Sequence, residues 1–200
     1  MEKAPVGYSI ILPPGWKRIP LRNKREMESA ADELVAAACR QVPENLPRDF
    51  VARYRLEVRR RLGVGIKNAR KSGGLDFYLP VAQPGEPLIA ASFVVGEVSS
   101  ADSDRGQFLT AMTSGAGYEP VDVDDSPGVR RELVMEADPT ENIEMSSRRV
   151  DYVVSVPKNL GRWVTISFST MGGGDPSDDL ADATVSLFDA IVTTFRWSTE

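Results

Sequence analysis

The sequence contains no histidine and a single cysteine in 200 residues. Without imidazole, Ser-His and Cys-His catalysis is excluded, and so are histidine-containing zinc and iron sites. One cysteine forms neither an internal disulfide nor a thiolate cage. That residue, Cys39, sits in "VAAACRQV" with no histidine to stabilise a thiolate, so it reads as a small core thiol. Long hydrophobic runs are missing too. No stretch approaches the roughly 20 apolar residues of a membrane span. The opening "MEKAPVGYSIILPPGW" breaks at Pro13 and Pro14 before it reaches signal-peptide length. These absences lead us to expect a cytoplasmic protein with no membrane partner, no metal, no cofactor and no enzymatic activity. Residual chemistry would fall to carboxylates, lysine or tyrosine.

What is present is ordinary globular material, with 42% hydrophobic and 26% charged residues. A chain of this length buries roughly 70% of its unfolded surface and needs no staples. We find no internal repeat and no linker, so one domain over 1–200 is expected.

Local patterning predicts the elements. Val6, Tyr8, Ile10 and Leu12 suggest a first strand, stopped by "PPG", and "WKRIPL" continues extended because residues before proline avoid the helical region. "REMESAADELVAAACRQV" (25–42) predicts a helix with Asn23 as N-cap and Met27, Ala31, Leu34, Ala38 and Val42 inward. "LPRDF" opens a second helix, with Pro47 and Asp49 suited to its first turn. Its stripe is Val51, Tyr54, Val58, Leu62, Ile66 and Ala69, and Gly63 and Gly65 predict a kink or an early end. Two strands follow, "LDFYLPVA" (75–82) and "LIAASFVVGEV" (88–98), joined by the turn "QPGEP"; "DRGQFLTAMTS" suggests a short helix. Four strands around Val121–Val123, Val129–Met135, Val150–Val156 and Val164–Phe168 then alternate at period two and predict an antiparallel meander. "GGGDPSDD" launches a terminal helix, capped by Asp175 or Ser177 and carrying Leu180, Leu187, Phe188, Ile191 and Phe195 on one face, expected to run on through "FRW". That stripe should cover one side of the sheet, and the two early helices the other side or an end. The fold class expected is α+β, one antiparallel sheet of about six or seven strands with helices on its faces.

The stretch "ILPPGWKRIPL", the run of antiparallel strands and the closing "FDAIVTTFRW" resemble the PsbP-like superfamily. That group includes photosystem oxygen-evolving subunits, the Ran-binding Mog proteins and small actinobacterial proteins and lipoproteins. The match covers Leu12–Leu21, Leu187–Trp197 and the element order of the C-terminal half. It implies an α/β/α sandwich around a central antiparallel sheet. Its motifs are packing motifs, so it transfers no functional residue. The sequence departs from the exported relatives in lacking a signal peptide and a lipid-anchor cysteine. The compositional style resembles actinobacterial proteins, where similar domains accompany specialised secretion genes; this adds an accessory or adaptor role to the expectations.

Charge is the most uneven feature. Residues 48–71 hold nine Arg or Lys and two acidic residues, a local charge of +7, while the rest holds fifteen basic and twenty-seven acidic, −12 within the chain's net −5. At 100° per residue Arg53, Arg60, Lys67 and Lys71 line up opposite the apolar stripe. Such a line is either a solvated face or a docking face for an acidic protein partner. Nucleic acid fits poorly, because the whole protein is acidic and only Tyr54 is interleaved as an aromatic.

Other constellations read as structure. "GGGDPSDD" lacks the lysine of a P-loop and the spacing of a dinucleotide fingerprint, and its aspartates would repel an anion. "VDVDDSPG" lacks the spacing of a calcium loop and reads as a turn. Trp16, Phe77 and Tyr78 line either a groove or the core. Arg130, Arg131, Arg148 and Arg149 are expected to pair across strands with Glu132, Glu136 and Asp151. The first functional expectation is therefore a non-enzymatic binding or adaptor module. The alternative is a small-ligand protein or enzyme using Asp122 and Asp124 in a helix–sheet pocket.

Overall fold

A computed structural model describes residues 4–43, 45–81, 89–99, 117–137, 145–159 and 161–199. The turn expected at 83–87 and the helix expected at 104–114 lie outside the described residues. In chain order the elements are β1 (Gly7–Ser9), β2 (Trp16–Pro20), α1 (Lys24–Arg40), α2 (Arg48–Lys71), β3 (Gly74–Pro80), β4 (Ala91–Ser99), β5 (Tyr118–Val123), β6 (Ser126–Met135), β7 (Ser147–Ser155), β8 (Arg162–Thr170), α3 (Asp179–Thr193) and β9 (Arg196–Ser198). Seven strands hydrogen-bond in the order β2-β3-β4-β8-β7-β6-β5, and β1 pairs with β9. This is the α+β class with an antiparallel sheet that the alternation predicts. The chain forms two compact units, Pro14–Gly96 and a second made of Met1–Pro13 with Glu97–Glu200.

In the unit Pro14–Gly96, β2, β3 and β4 pair antiparallel. Strand alternation sends Ile19 and Phe77 to one face, where they meet Met27, Leu34, Ile66 and Ala69 from α1 and α2 in a single apolar cluster. Helix α1 starts where expected, because the Asn23 side-chain oxygen accepts from the backbone N–H of Arg25 at 3.1 Å and of Glu26 at 3.4 Å. Val42 falls beyond its end. Helix α2 corrects the expectation of an early end, since it continues unbroken past Gly63 and Gly65 to Lys71. A Cβ on Gly65 would touch the Phe77 ring at an ordinary contact distance of 3.4 Å. A Cβ on Gly63 would meet nothing within 4 Å.

In the other unit, β5 to β8 form the expected meander, with Val129 opposite Val153, Val150 opposite Phe168 and Tyr152 opposite Ile166. Asp124 and Asp125 turn the β5–β6 hairpin in two residues, both at positive φ (47° and 57°), as the favoured hairpin turns require. Helix α3 lies on the face that carries Tyr152 and Phe168. Phe188 stacks on Phe168 at 4.5 Å and meets Tyr152 edge-on at 5.8 Å.

The inward stripe of α3 is Ala181, Thr184, Val185, Phe188, Ile191 and Val192. Leu180, expected on it, is 45% exposed. The helix also stops at Thr193 instead of running through the last aromatics. Phe195 is fully buried, stacked on Tyr8 at 5.3 Å, and Trp197 belongs to β9. The N-cap is corrected as well. It is Asp178, whose carboxylate accepts from Ala181 N at 2.7 Å and Gly173 N at 2.6 Å, while Asp175 accepts from Ser177 N at 2.8 Å. Gly172, at φ 56°, is required here, because a Cβ would overlap the Asp178 carboxylate.

Candidate functional site

The basic segment is the solvent side of α2. Its core side is fully buried only toward the C-terminus, at Ile66 and Ala69; Val51, Val58 and Leu62 of the expected inward stripe are half-buried and Tyr54 is exposed. All four residues of the expected line, Arg53, Arg60, Lys67 and Lys71, are exposed. They span eighteen helical steps, roughly 27 Å, and their surroundings differ. Arg53 Nε donates to the Asp49 carbonyl at 3.4 Å. Arg60 grips Glu57 with two bonds of 2.9 and 2.8 Å, and Arg61 adds a third at 2.6 Å. Those hydrogen bonds from Arg60 and Arg61 hold the Glu57 carboxyl down at about 2. The middle of the line is therefore partly neutralised by its own helix.

Lys67 and Lys71, one turn apart, instead flank a surface trough of about 830 Å³ between α1 and α2. Met27, Val35, Leu62 and Ile66 form its apolar floor, and Arg59 and Arg70 join the lysines on the α2 side. On the α1 side Asp32 pairs with Arg59, and Glu28 pairs with Lys24 at 3.8 Å. Neither Arg59 nor Arg70 lies on the line drawn opposite the apolar stripe. Their place beside the trough follows from where α1 packs, which the phase of α2 alone does not specify. Four large apolar side chains also stand out from α2: Leu56, Val64, Phe50 and Tyr54.

The other candidates resolve into structure. Trp16, Phe77 and Tyr78 are all buried. Phe77 lies on the opposite face of β3 from Tyr78, so the three line no common groove; Tyr78 stacks on Phe93 at 4.4 Å and Trp16 meets Phe93 at 5.5 Å. Two of the expected cross-strand pairs form, Arg148 with Glu132 and Arg131 with Asp151. Arg130 and Arg149 instead meet Glu132 and Asp151 along their own strands, Glu136 pairs with no arginine among the described residues, and strand spacing missed two partners on α3. Arg130 bonds Glu132 at 2.8 Å and Asp189 of α3 at 2.9 Å. Arg148 bonds Glu132 and reaches Asp182 of α3 at 2.5 Å. Arg131 and Arg149 share Asp151. Glu136 accepts from Ser146 Oγ at 3.1 Å. Burial alone would raise the Glu132 carboxyl, but the guanidinium groups of Arg130 and Arg148 outweigh it and hold it below the usual range. Burial, then the Asp189 carboxylate, pushes the Tyr152 phenol up. This cluster rivets α3 to β6 and β7.

Asp124, the proposed carboxylate of the alternative reading, accepts from Trp197 N at 2.8 Å and lies 3.6 Å from Arg196 Nε. Trp197 Nε1 donates to Ser126 Oγ at 2.9 Å beside it. Asp124 thus ties β9 to the hairpin, while Asp122 is exposed on β5. Among the described residues no three His, Cys, Asp or Glu side chains converge as a metal site, and no helix is long and apolar enough to cross a membrane.

No protein-family model matches the sequence, and no curated protein is significantly similar to it. Among solved structures, the chain is similar to the Saccharomyces cerevisiae Ran-binding protein Mog1p. The likeness covers 61% of this chain and 78% of that one, at 13% identity and a TM-score of 0.38. Mog1p is thus a weak structural neighbour, too distant to assign a site or a partner to this chain.

Proposed function

We propose that the protein is a non-enzymatic binding module that meets an acidic protein partner through the outward side of α2, with Arg53, Arg60, Lys67 and Lys71 as contacts. One observation carries this reading. The cations of α2 are interleaved with Leu56 and Val64, which are 68% and 48% exposed. Single exposed apolar side chains need no explanation, and a face that only solubilises needs charges alone. Leucine, valine and aromatic side chains set among arginines on one helix match the composition of protein interfaces, where arginine and aromatics are enriched and acidic residues depleted. The membership in the PsbP-like superfamily, an accessory role beside a secretion system and a cytoplasmic location belong to the same proposal, and their support is the sequence motifs and composition.

The test is affinity capture with a photo-crosslinking amino acid at Leu56, using the native protein and the triple variant Arg53→Glu, Arg60→Glu, Lys67→Glu. We expect a protein that saturates the bait, crosslinks from position 56 and is lost at least about tenfold in the variant, as reversal of interfacial charges typically does. Capture that is the same with both baits would leave α2 as a solvated face and remove the proposal.

A further inference from the structure

We propose that the trough between α1 and α2 is a seat for one amphipathic helix of an acidic protein partner, its apolar side chains on the floor and its carboxylates against Lys67, Arg70 and Lys71. Such a seat rests on the protein-binding reading of α2 and gives that partner a shape.

Three observations converge. The first is charge. The two acidic residues flanking the trough are already paired, Asp32 with Arg59 and Glu28 with Lys24. Lys67, Arg70 and Lys71 have no ion-pair partner among the described residues. Among the described residues the trough therefore presents a positive end, and acidic groups on an occupant are drawn to that end.

The second is shape. From Arg59 to Lys71 the α2 wall runs twelve helical steps, roughly 18 Å, the length of a helix of about three turns. The trough is open to solvent along its length, with Arg59, Gly63, Lys67 and Arg70 all exposed on its wall. A single acyl chain or small molecule would remain largely wet there, whereas ligand pockets bury 70–90% of their occupant. A helix laid into a groove by i, i+3, i+4 anchors covers such a floor with its own body.

The third is Gly63. A glycine inside a helix lowers stability relative to alanine, so its presence calls for a reason. At Gly65 a Cβ would at least touch the Phe77 ring, at 3.4 Å. Gly63 has no such contact in the fold, because nothing lies within 4 Å of a Cβ placed there. What glycine does at 63 is leave the α2 wall of the trough without a side chain, which widens it where an incoming helix would lie.

The test uses the full chain and a fluorescent peptide of about 16 residues, with Leu at i, i+3, i+4 and i+7 and four Glu clustered at one end. Controls are the same composition scrambled, and laurate as a simple anionic amphiphile. Anisotropy should show saturable binding of the patterned peptide, at least about tenfold tighter than the scrambled one and weakened by raising salt, since exposed charge pairs are screened. Gly63→Leu should fold with an equal or higher Tm and lose binding about tenfold or more. Lys67→Glu with Arg70→Glu should do the same from the charge side. Lys17→Glu, on β2 and outside the trough lining, should leave peptide binding unchanged. No peptide binding, equal binding of the scrambled peptide, displacement of the peptide by laurate, or full affinity in Gly63→Leu would each overturn the seat. If Gly63→Leu binds normally while partner capture still fails in the triple variant, the trough is wrong and the outward side of α2 stands. If capture is indifferent to every variant, the binding reading itself falls.

Discussion

Single residues in this protein act mostly through what they bridge. Glu132 receives Arg130 and Arg148, which in turn hold Asp189 and Asp182 on α3. Its folded carboxyl lies below the ordinary value, despite burial that pushes the other way, because two guanidinium groups face it. An unfolded glutamate titrates at about 4.3. On acidification the unfolded chain therefore takes up this proton first. The stability that Glu132 contributes is complete above that value and is lost as pH falls through it toward the folded one. Urea unfolding at pH 7 and about pH 3.5 should show Glu132→Gln clearly less stable than the native protein at pH 7, with the gap narrowed at the lower pH. A gap of constant size would mean that the carboxylate charge is not what fastens α3.

At the scale of elements, the terminal helix shows how a small error of phase changes an energetic expectation. Leu180 and Phe188 both belong to the stripe that the sequence suggests, but only Phe188 reaches the core, between Phe168 and Tyr152. Phe188→Ala should cost about 3–5 kcal/mol, since it removes a fully buried ring and leaves a cavity. Leu180→Ala should change stability by less than about 1 kcal/mol, being a surface substitution. Equal losses in calorimetry would refute the docking of α3 through Phe188. Helix α2 makes the complementary point. Its core side is visible in the spacing of Leu62, Ile66 and Ala69, yet the trough beside it is created by α1, so the spacing passes over Arg59 and Arg70.

For the molecule as a whole, the path of the chain motivates a proposal about cooperativity. β4 runs without a break across Gly96, where one compact unit ends and the other begins, and the second unit is assembled from both ends of the sequence. We therefore propose one thermal transition, the behaviour of a single domain over 1–200. Deleting residues 180–200 should abolish it, because the deletion removes Phe188, Phe195 and the β9 partner of β1 together. Two resolved transitions in the native protein, or an unchanged one in the truncated protein, would overturn this.

Period-two alternation in four consecutive segments was enough to specify the meander, and a capping asparagine with alanine-rich spacing was enough for α1. Both are local signals, read from neighbours a few positions away. The absence of histidine likewise removed whole classes of chemistry before any contact was known. What the sequence left open were the partners supplied by other elements: Asp124 on Trp197, Asp189 on Arg130, and the wall of the trough. Each depends on where a second element lies. Only the packed chain decides among them, because hydrogen bonds and ion pairs are made at distances near 3 Å while sequence spacing carries no information at that scale.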